Sequence, residues 1–447
     1  TLSLHDALPI YSFTLREGLK FSDGTPLTTK DVIASIKRWG ARDNLGAKLL
    51  AAAEKLEAKD DRTFTLDFKK PFGMVLDAFS KPSSIPLFVM PEKVAQTDPF
   101  KQITDMTGSG PYMFAADRYR PGEKVVYLKN PYYVPRNEPA DGTAGGKHVY
   151  VDELDWVILR DAQTVANAIE KGEVDVVEMV PNEQYSVLKK NPDIQLLNQT
   201  GKQSAMLHLN HAIPPFNNPK IAQAALMAIN QAALQRAQIV HKELWNTCTS
   251  IYPCGSLYAS DKTDYFTGKP QFKRAQELLK EAGYDGTPVV LMLPADMPSL
   301  NKYPPVMAEL LRRAGFKVDL QSMDWATLVT RRTKSSPVSE GGWNGFITFW
   351  NQADTFNPLF FAPLTGSGLK GWFGWTDDPK LEALKDEFVG TSDLAKRKEL
   401  AEGIQLRVMD SGVYGMLGEA KPIIALRKNI SGLVEAPISV FWGLKKD

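Results

Sequence analysis

The chain has 447 residues, too many for one ordinary hydrophobic core, so we expect two or three lobes. Its 53 basic residues nearly balance its 52 acidic residues, and this charge balance favours neither a nucleic-acid partner nor an anionic membrane surface. The longest apolar runs, such as 224–229, are far shorter than the roughly 20 residues that cross a bilayer. The composition therefore excludes a helical membrane span and favours a small partner molecule.

The N-terminal part of the chain carries strand, turn and helix signals between residues 11 and 39. Apolar and polar residues alternate over 11–15, which predicts a half-buried strand. The sequence SDGTP at 22–26 is typical of a turn, because Asp can bond its own backbone and Gly supplies positive φ. A helix is predicted to begin after Thr28, which forms a capping box with Asp31.

The same stretch resembles a known family. The order F-x-L-R-x-G-x-x-F-x-D-G-x-P-L-x-x-x-D-V over residues 13–32 is similar to the signature of the family 5 extracellular solute-binding proteins. These are the peptide, oligopeptide and nickel receptors of ABC importers. The resemblance implies an α/β fold of the periplasmic binding protein type (class II), in which a two-strand hinge joins two α/β lobes and the first lobe carries an extra subdomain.

The next predicted elements belong to the first lobe. A helical pattern covers 45–56, a strand covers 63–68, and an antiparallel pair is expected at 112–115 and 124–128. The turn GSGPY at 108–112 resembles the family's G-T-G-P-Y turn before that pair.

A βαβ unit is predicted downstream. Residues 151–160 have apolar residues running together, as in a centrally buried strand, and a helix at 164–170 with Gly172 as its cap leads to a strand at 174–177. The segment 168–175, AIEKGEVD, resembles the family's A-L-x-x-G-E-I-D phrase in the first lobe.

The second lobe is predicted to begin at the alternating strand 204–210. The segment 214–231 that follows it resembles the family's P-F-x-D-x-x-V-R-x-A-x-x-x-A-I-D motif, which opens that lobe. The extended run 413–426 resembles the return to the first lobe. Between the opening segment 214–231 and the return segment 413–426, helices and strands alternate, at 273–282, 289–293, 305–314, 317–321, 343–350, 379–389 and 395–410.

The predicted boundaries follow from these crossings. The first lobe and its subdomain cover 11–203, the second lobe covers 204–419, and 420–447 returns to the first lobe.

Residues 1–10, TLSLHDALPI, are similar to a translated sequencing-library adapter and are interpreted as a non-native leader. By resemblance we expect a periplasmic protein whose export signal and first strand are missing from this chain.

No catalytic motif is found in the sequence, which lacks G-x-S-x-G, a Walker loop, H-E-x-x-H and C-x-x-C. His208 and His211 are three residues apart, but in a strand such residues face opposite sides. We therefore expect neither an enzyme nor a metal or cofactor site.

The family resemblance places the solute-binding residues in WNGFITFWNQADTFNP at 343–358. Its A-D-x-x-N-P end resembles a motif whose Asp captures the α-ammonium group of a bound peptide, and Asp354 has that position. The alternative is a solvated loop carboxylate or a helix cap. Aromatic faces suit a solute cleft. We therefore add these candidates: Trp350, Trp343, Trp325 and Asn351.

One feature departs from the peptide-binding pattern. Relatives often place an Arg before the tryptophan of this segment to pair with the peptide carboxylate, but 345–349 has none. Arg331 and Arg332 are possible substitutes, although a solvated helix face is the simpler interpretation.

The two cysteines, Cys248 and Cys254, lie close together. They form either one small disulfide loop or two unrelated buried thiols. The exported location that the family resemblance implies favours the disulfide.

The predicted function is a monomeric receptor that closes over a small, peptide-like amine and passes it to the permease subunits of an ABC importer. Alternatives are the same fold with a non-peptide solute (a sugar, an opine or a metal chelate), a periplasmic peptide-holding chaperone, or a hydrolase with paired carboxylates in the cleft.

Overall fold

The computed structural model describes residues 10–198 and 201–447 and divides into two compact units. Unit 1 contains the described residues up to 198 together with Ile423–Asp447, and unit 2 is Gly201–Pro422. Unit 2 thus starts three residues before the predicted residue 204 and ends three residues after the predicted residue 419. Most of the predicted leader lies outside the described residues. No described helix is long and apolar enough to cross a bilayer.

Unit 1 is built from small antiparallel sheets and short helices. Its strands before residue 198 are β1 (Ile10–Thr14), β2 (Ala53–Ala58), β3 (Thr63–Phe68), β4 (Tyr112–Phe114), β5 (Lys124–Lys129), β6 (Glu153–Val157), β7 (Val176–Val177) and β8 (Ile194–Asn198). Its α-helices are α1 (Thr29–Gly40), α2 (Asn44–Ala52), α3 (Val75–Ser80), α4 (Glu92–Ala95), α5 (Ala162–Lys171) and α6 (Tyr185–Leu188).

Unit 2 is organised around one six-stranded sheet. Its strands are β9 (Gln203–Leu209), β10 (Trp245–Asn246), β11 (Val289–Pro294), β12 (Val318–Met323), β13 (Gly345–Asn351) and β14 (Tyr414–Ala420). Its α-helices are α7 (Pro219–Met227), α8 (Gln231–Ile239), α9 (Phe272–Glu281), α10 (Tyr303–Arg313), α11 (Trp325–Arg331), α12 (Gln352–Thr355), α13 (Pro379–Gly390) and α14 (Leu394–Ser411). The chain then returns to unit 1 as β15 (Ile423–Arg427), β16 (Ile430–Ser431) and β17 (Lys445–Lys446).

Helix α1 begins where the sequence predicts. The Thr28 backbone N–H donates to Asp31 Oδ2 at 2.8 Å, and the capping box is complete. The next helix is shorter than the predicted 45–56. It ends at Ala52, and β2 takes the following residues, pairing Leu56 with Leu66 of β3. Pairing with β3 and the partial burial of Leu56 against the neighbouring core thus override the helical pattern of the sequence.

The predicted βαβ unit of the first lobe is wrong. β6 is an exposed edge strand of the sheet β4-β5-β6, whereas β7 lies at the edge of a different sheet, β7-β15-β8. β15 comes from the C-terminal return segment and pairs antiparallel with both β7 and β8. A local sequence pattern contains no information about a strand that comes from more than 200 residues away. The sequence therefore predicted a continuous βαβ unit.

The sheet of unit 2 has the order β10-β14-β9-β13-β11-β12. β11 runs parallel to β12 and β13, while β9 is antiparallel to β13 and β14. The register pairs Phe346 with His208 and Trp350 with Ser204. Because side chains alternate across a strand, Phe346, His208 and Trp350 share one face of the sheet. This face carries the candidate site.

The structure joins Cys248 and Cys254 by a disulfide, with the two Cα atoms 5.8 Å apart. The loop is further fixed by Gln231, whose side chain accepts from the Cys248 N–H at 2.9 Å. A six-residue separation closes a short loop, so we expect reduction to lower the free energy of unfolding by about 2 kcal/mol.

Urea unfolding with and without a thiol reductant measures this effect. The double variant Cys248→Ser/Cys254→Ser is the control and should be insensitive to the reductant. Equal stability of oxidised and fully reduced protein would contradict the expected contribution of the loop.

Candidate functional site

The centre of the site is His208, which is only 2% exposed. Its ring stacks on Phe346 with centroids 4.9 Å apart, and its Nε2 accepts a hydrogen bond from the Trp350 indole N–H at 3.3 Å. Burial, and then the nearby charge of Arg332, lower the pKa of His208 to about 3. The imidazole is therefore neutral at physiological pH and holds the Trp350 ring in place.

This burial predicts a pH dependence of stability. The folded pKa of His208 lies below the usual value of 6.5, so the unfolded chain binds the proton more tightly. Its contribution to stability is intact above about pH 6.5. It falls by up to about 1.4 kcal/mol per pH unit on acidification, until the pH approaches the folded pKa.

The variant His208→Gln tests this dependence, because a glutamine oxygen can accept from Trp350 but does not titrate. Unfolding by urea between pH 7 and pH 4 should show a shallower loss of stability in this variant than in the wild type. His148→Gln, at an exposed histidine, is the matched control and should follow the wild type. An unchanged slope in His208→Gln would contradict the assignment.

Arg332 lies directly after α11, inside a cage of four aromatic rings. Its guanidinium carbon is 5.1 to 5.9 Å from four ring centroids, those of Phe373, Trp372, Trp325 and Phe346. The side chain is half-buried, and burial lowers the pKa of the guanidinium. Its Nε is buried without a hydrogen-bond partner, and no carboxylate of the described residues pairs with it. Ring faces stabilise the positive charge of the guanidinium but accept none of its conventional N–H hydrogen bonds, so Arg332 can still bind an anionic ligand.

Asp354 lies at the third position of the short helix α12. Its Oδ2 accepts from the Asn351 backbone N–H at 3.3 Å, and the Asn351 side chain completes a capping box. The Asn351 Oδ1 also accepts from the Gln203 side chain at 3.2 Å. The Asp354 carboxyl is 5% exposed. The geometry thus contains the cap that sequence analysis kept as an alternative, at the end of the strand that carries Trp350.

Comparison with known proteins identifies the fold and family. The profile of the bacterial extracellular solute-binding proteins, family 5, matches residues 7–372. The chain belongs to this family. The solute-binding protein is 35% identical over 443 residues to a probable peptide ABC transporter periplasmic-binding protein, y4tO, of Sinorhizobium fredii. That match covers 98% of this chain and 82% of the relative.

More distant relatives extend the comparison. The solute-binding protein is 26% identical to the glutathione-binding protein GsiB of Pectobacterium atrosepticum, over 96% of this chain and 81% of the relative. Two solved structures each superpose with a TM-score of 0.79. One is AgaA of A. tumefaciens R10 with agropinic acid, at 23% identity over 98% of this chain and 87% of that one. The other is DppA of Helicobacter pylori with the peptide STSA, at 19% identity, covering 100% and 88%. They establish the class II periplasmic binding protein fold.

The three candidate tryptophans of this solute-binding protein differ in how deeply they are buried. Trp343 is fully buried in the core of unit 2, and its indole N–H donates to the Arg332 carbonyl at 3.1 Å. We therefore remove Trp343 from the candidate site, because a side chain enclosed by the core offers no face to a solute. Trp325 and Trp350 are half-buried, and Trp325 forms one wall of the Arg332 cage.

Sequence reasoning committed to no role for two members of the site, Arg332 and Trp372. Sequence analysis offered Arg331 and Arg332 as possible carboxylate partners but preferred a solvated helix face. In the structure Arg331 is fully engaged, donating to two glycine carbonyls and to Gln321, whereas Arg332 lies in the aromatic cage. Trp372 received no role from the sequence, yet its ring centroid is 4.9 Å from that of His208 and 5.6 Å from that of Trp350. The signals available in the sequence were the two arginines that follow a tryptophan in WATLVTRR and the dense aromatic run GWFGW.

Proposed function

We propose that this protein is the solute-binding component of an ABC importer. It captures a peptide or a peptide-like, amine-bearing compound in the periplasm and delivers it to the permease subunits in the membrane. The y4tO relative, 35% identical over nearly the whole chain, supports this substrate class by its name. We infer a monomeric receptor, since unit 2 alone supplies all of the candidate residues.

The observation that carries the proposal is the Arg332 cage. A half-buried guanidinium without a carboxylate partner is a costly arrangement unless a ligand supplies the anion. A carboxylate bound there gains a charge-assisted contact, and an Arg fork can hold it with two parallel hydrogen bonds. The carboxyl terminus of a peptide provides this group.

Asp354 supplies the opposite charge. A buried carboxylate attracts an ammonium group strongly because water no longer screens the pair. A zwitterion therefore matches two groups of unit 2, with its ammonium assigned to Asp354 and its carboxylate to Arg332. Trp350 and Trp372 add aromatic surface for an apolar side chain between or beside these groups.

We assign no catalytic role to these residues. The buried His208 is held neutral and its Nε2 is occupied by the Trp350 indole, so it is a poor general base for a bound solute. Binding followed by release, rather than turnover, is the activity that this chemistry favours.

Calorimetric titration with a panel of short peptides tests the proposal. Each sequence is supplied with free termini, with an acetylated amino terminus and with an amidated carboxyl terminus. We expect binding of the free form, weaker binding of both blocked forms, and recovery of the intact peptide from the complex. Equal affinity for all three forms, or a cleaved peptide, would contradict the proposed function.

A further inference from the structure

Lys202 lies where the chain enters unit 2, and its side chain joins two other segments of that unit. Its ammonium group donates to the Cys254 carbonyl at 2.6 Å and forms an ion pair with Glu419 at 3.2 Å. Glu419 is fully buried near the end of β14. Its other oxygen accepts from the Cys254 N–H at 2.8 Å.

The ion pair fixes the position of the lysine strongly. Glu419 pairs with no other cation among the described residues, and its remaining contacts are hydrogen bonds from Cys254 and from the Asn246 side chain. A buried carboxylate that loses its single cation is strongly destabilised. The disulfide from Cys248 to Cys254 restricts the loop that supplies the carbonyl. The Lys202 side chain is therefore anchored, although it is 30% exposed.

The backbone of Lys202 holds the candidate site. Its N–H donates to the Gln352 side chain at 3.4 Å, and its carbonyl accepts from the Gln352 N–H at 2.9 Å. Gln352 is the first residue of α12, which has four residues and carries Asp354. A helix this short has little stability of its own. Its position depends on contacts from outside, and Lys202 supplies two of them.

We propose that Lys202 is a positioning residue for solute binding, which couples the disulfide loop and the buried Glu419 to the helix that presents Asp354. The inference rests on the proposed function, because it gives Asp354 a place in the solute site. Lys202 itself touches no solute in this scheme. Its ammonium fixes the backbone segment 202–203, and that backbone fixes α12.

Hydrogen exchange of the solute-free protein tests the positioning role without any ligand. We expect Lys202→Met to raise the exchange rate of the Gln352 backbone N–H by about tenfold. This N–H donates to the Lys202 carbonyl, which the variant no longer holds in place. Lys202→Arg keeps the cation and should retain slow exchange. Lys262→Met removes an exposed lysine that pairs with Glu402 at 2.7 Å elsewhere in unit 2, and it is the matched control.

The pattern of exchange decides the outcome. Faster exchange confined to residues 351–356 supports the inference. Unchanged exchange at Gln352, or an equal increase throughout β9 and β13, would overturn it, since the second pattern reports only lower global stability.

A second variant covers the case in which Lys202→Met fails to fold. Lys202→Met/Glu419→Gln removes the uncompensated buried charge as well. It should fold, keep the fast exchange at Gln352, and bind a free peptide about tenfold more weakly than the wild type. Wild-type exchange and affinity in the double variant would overturn the positioning role. If no peptide binds even the wild type, the proposed function fails, whereas the exchange result still tests Lys202.

Discussion

Replacing Arg332 with Met is expected to weaken the binding of a peptide with a free carboxyl terminus by about a hundredfold, or roughly 2.7 kcal/mol. The variant keeps an apolar side chain of similar length between the cage rings and removes only the cation. The lost interaction is a charge-assisted contact in a partly desolvated site, which is at the strong end of hydrogen-bond energies. Calorimetric titration of both proteins with the same peptide measures the change.

A peptide with an amidated carboxyl terminus is the matched ligand for this variant. It lacks the anion, so its affinity should differ little between the wild type and Arg332→Met. The fold should tolerate the substitution, because the removed cation has no carboxylate partner among the described residues. If both peptides lose affinity equally, Arg332 acts through packing and the carboxylate assignment is incorrect.

Replacing Asp354 with Asn is expected to reduce affinity for a free peptide by about ten- to a hundredfold, or roughly 1.5 to 3 kcal/mol. The substitution keeps the shape and removes the charge that attracts an ammonium group. An Asn oxygen can still accept from the Asn351 N–H, so the cap of α12 and the melting temperature should change little.

The acetylated peptide is the control for Asp354→Asn. It carries no ammonium group and should bind the variant and the wild type with similar affinity. A free peptide that binds both proteins equally would assign Asp354 to the cap alone. Equal losses for both peptides would indicate a displaced helix rather than a lost charge pair.

Much of the architecture could be predicted from the sequence because it depends on local signals. The capping box at Thr28 fixes the start of α1, and β3 occupies the predicted residues 63–68. The left-handed Gly172 follows α5 as its predicted cap. These features follow from side-chain periodicity and from backbone conformations that few residues adopt.

The parts that could not be predicted depend on segments distant in sequence. β6 has a buried-strand pattern, but its partners leave it at a sheet edge, and β7 pairs with a strand from the C-terminal segment. Trp350 lies in β13 and Trp343 lies two residues before that strand, and only the surrounding helices and loops determine that Trp343 is enclosed. The burial of Arg332 likewise requires rings from α11, β13 and the segment at 372–373.

Native mass spectrometry of protein purified without denaturation, followed by fragmentation of the released solute, tests the central claim most directly. The proposed function predicts a noncovalent complex whose solute contains both an amine and a carboxylate and fragments as a peptide or a peptide-like compound. Substituting Arg332 with Met or Asp354 with Asn should reduce the fraction of protein that carries it. A neutral sugar, or a solute retained equally by both variants, would contradict the claim.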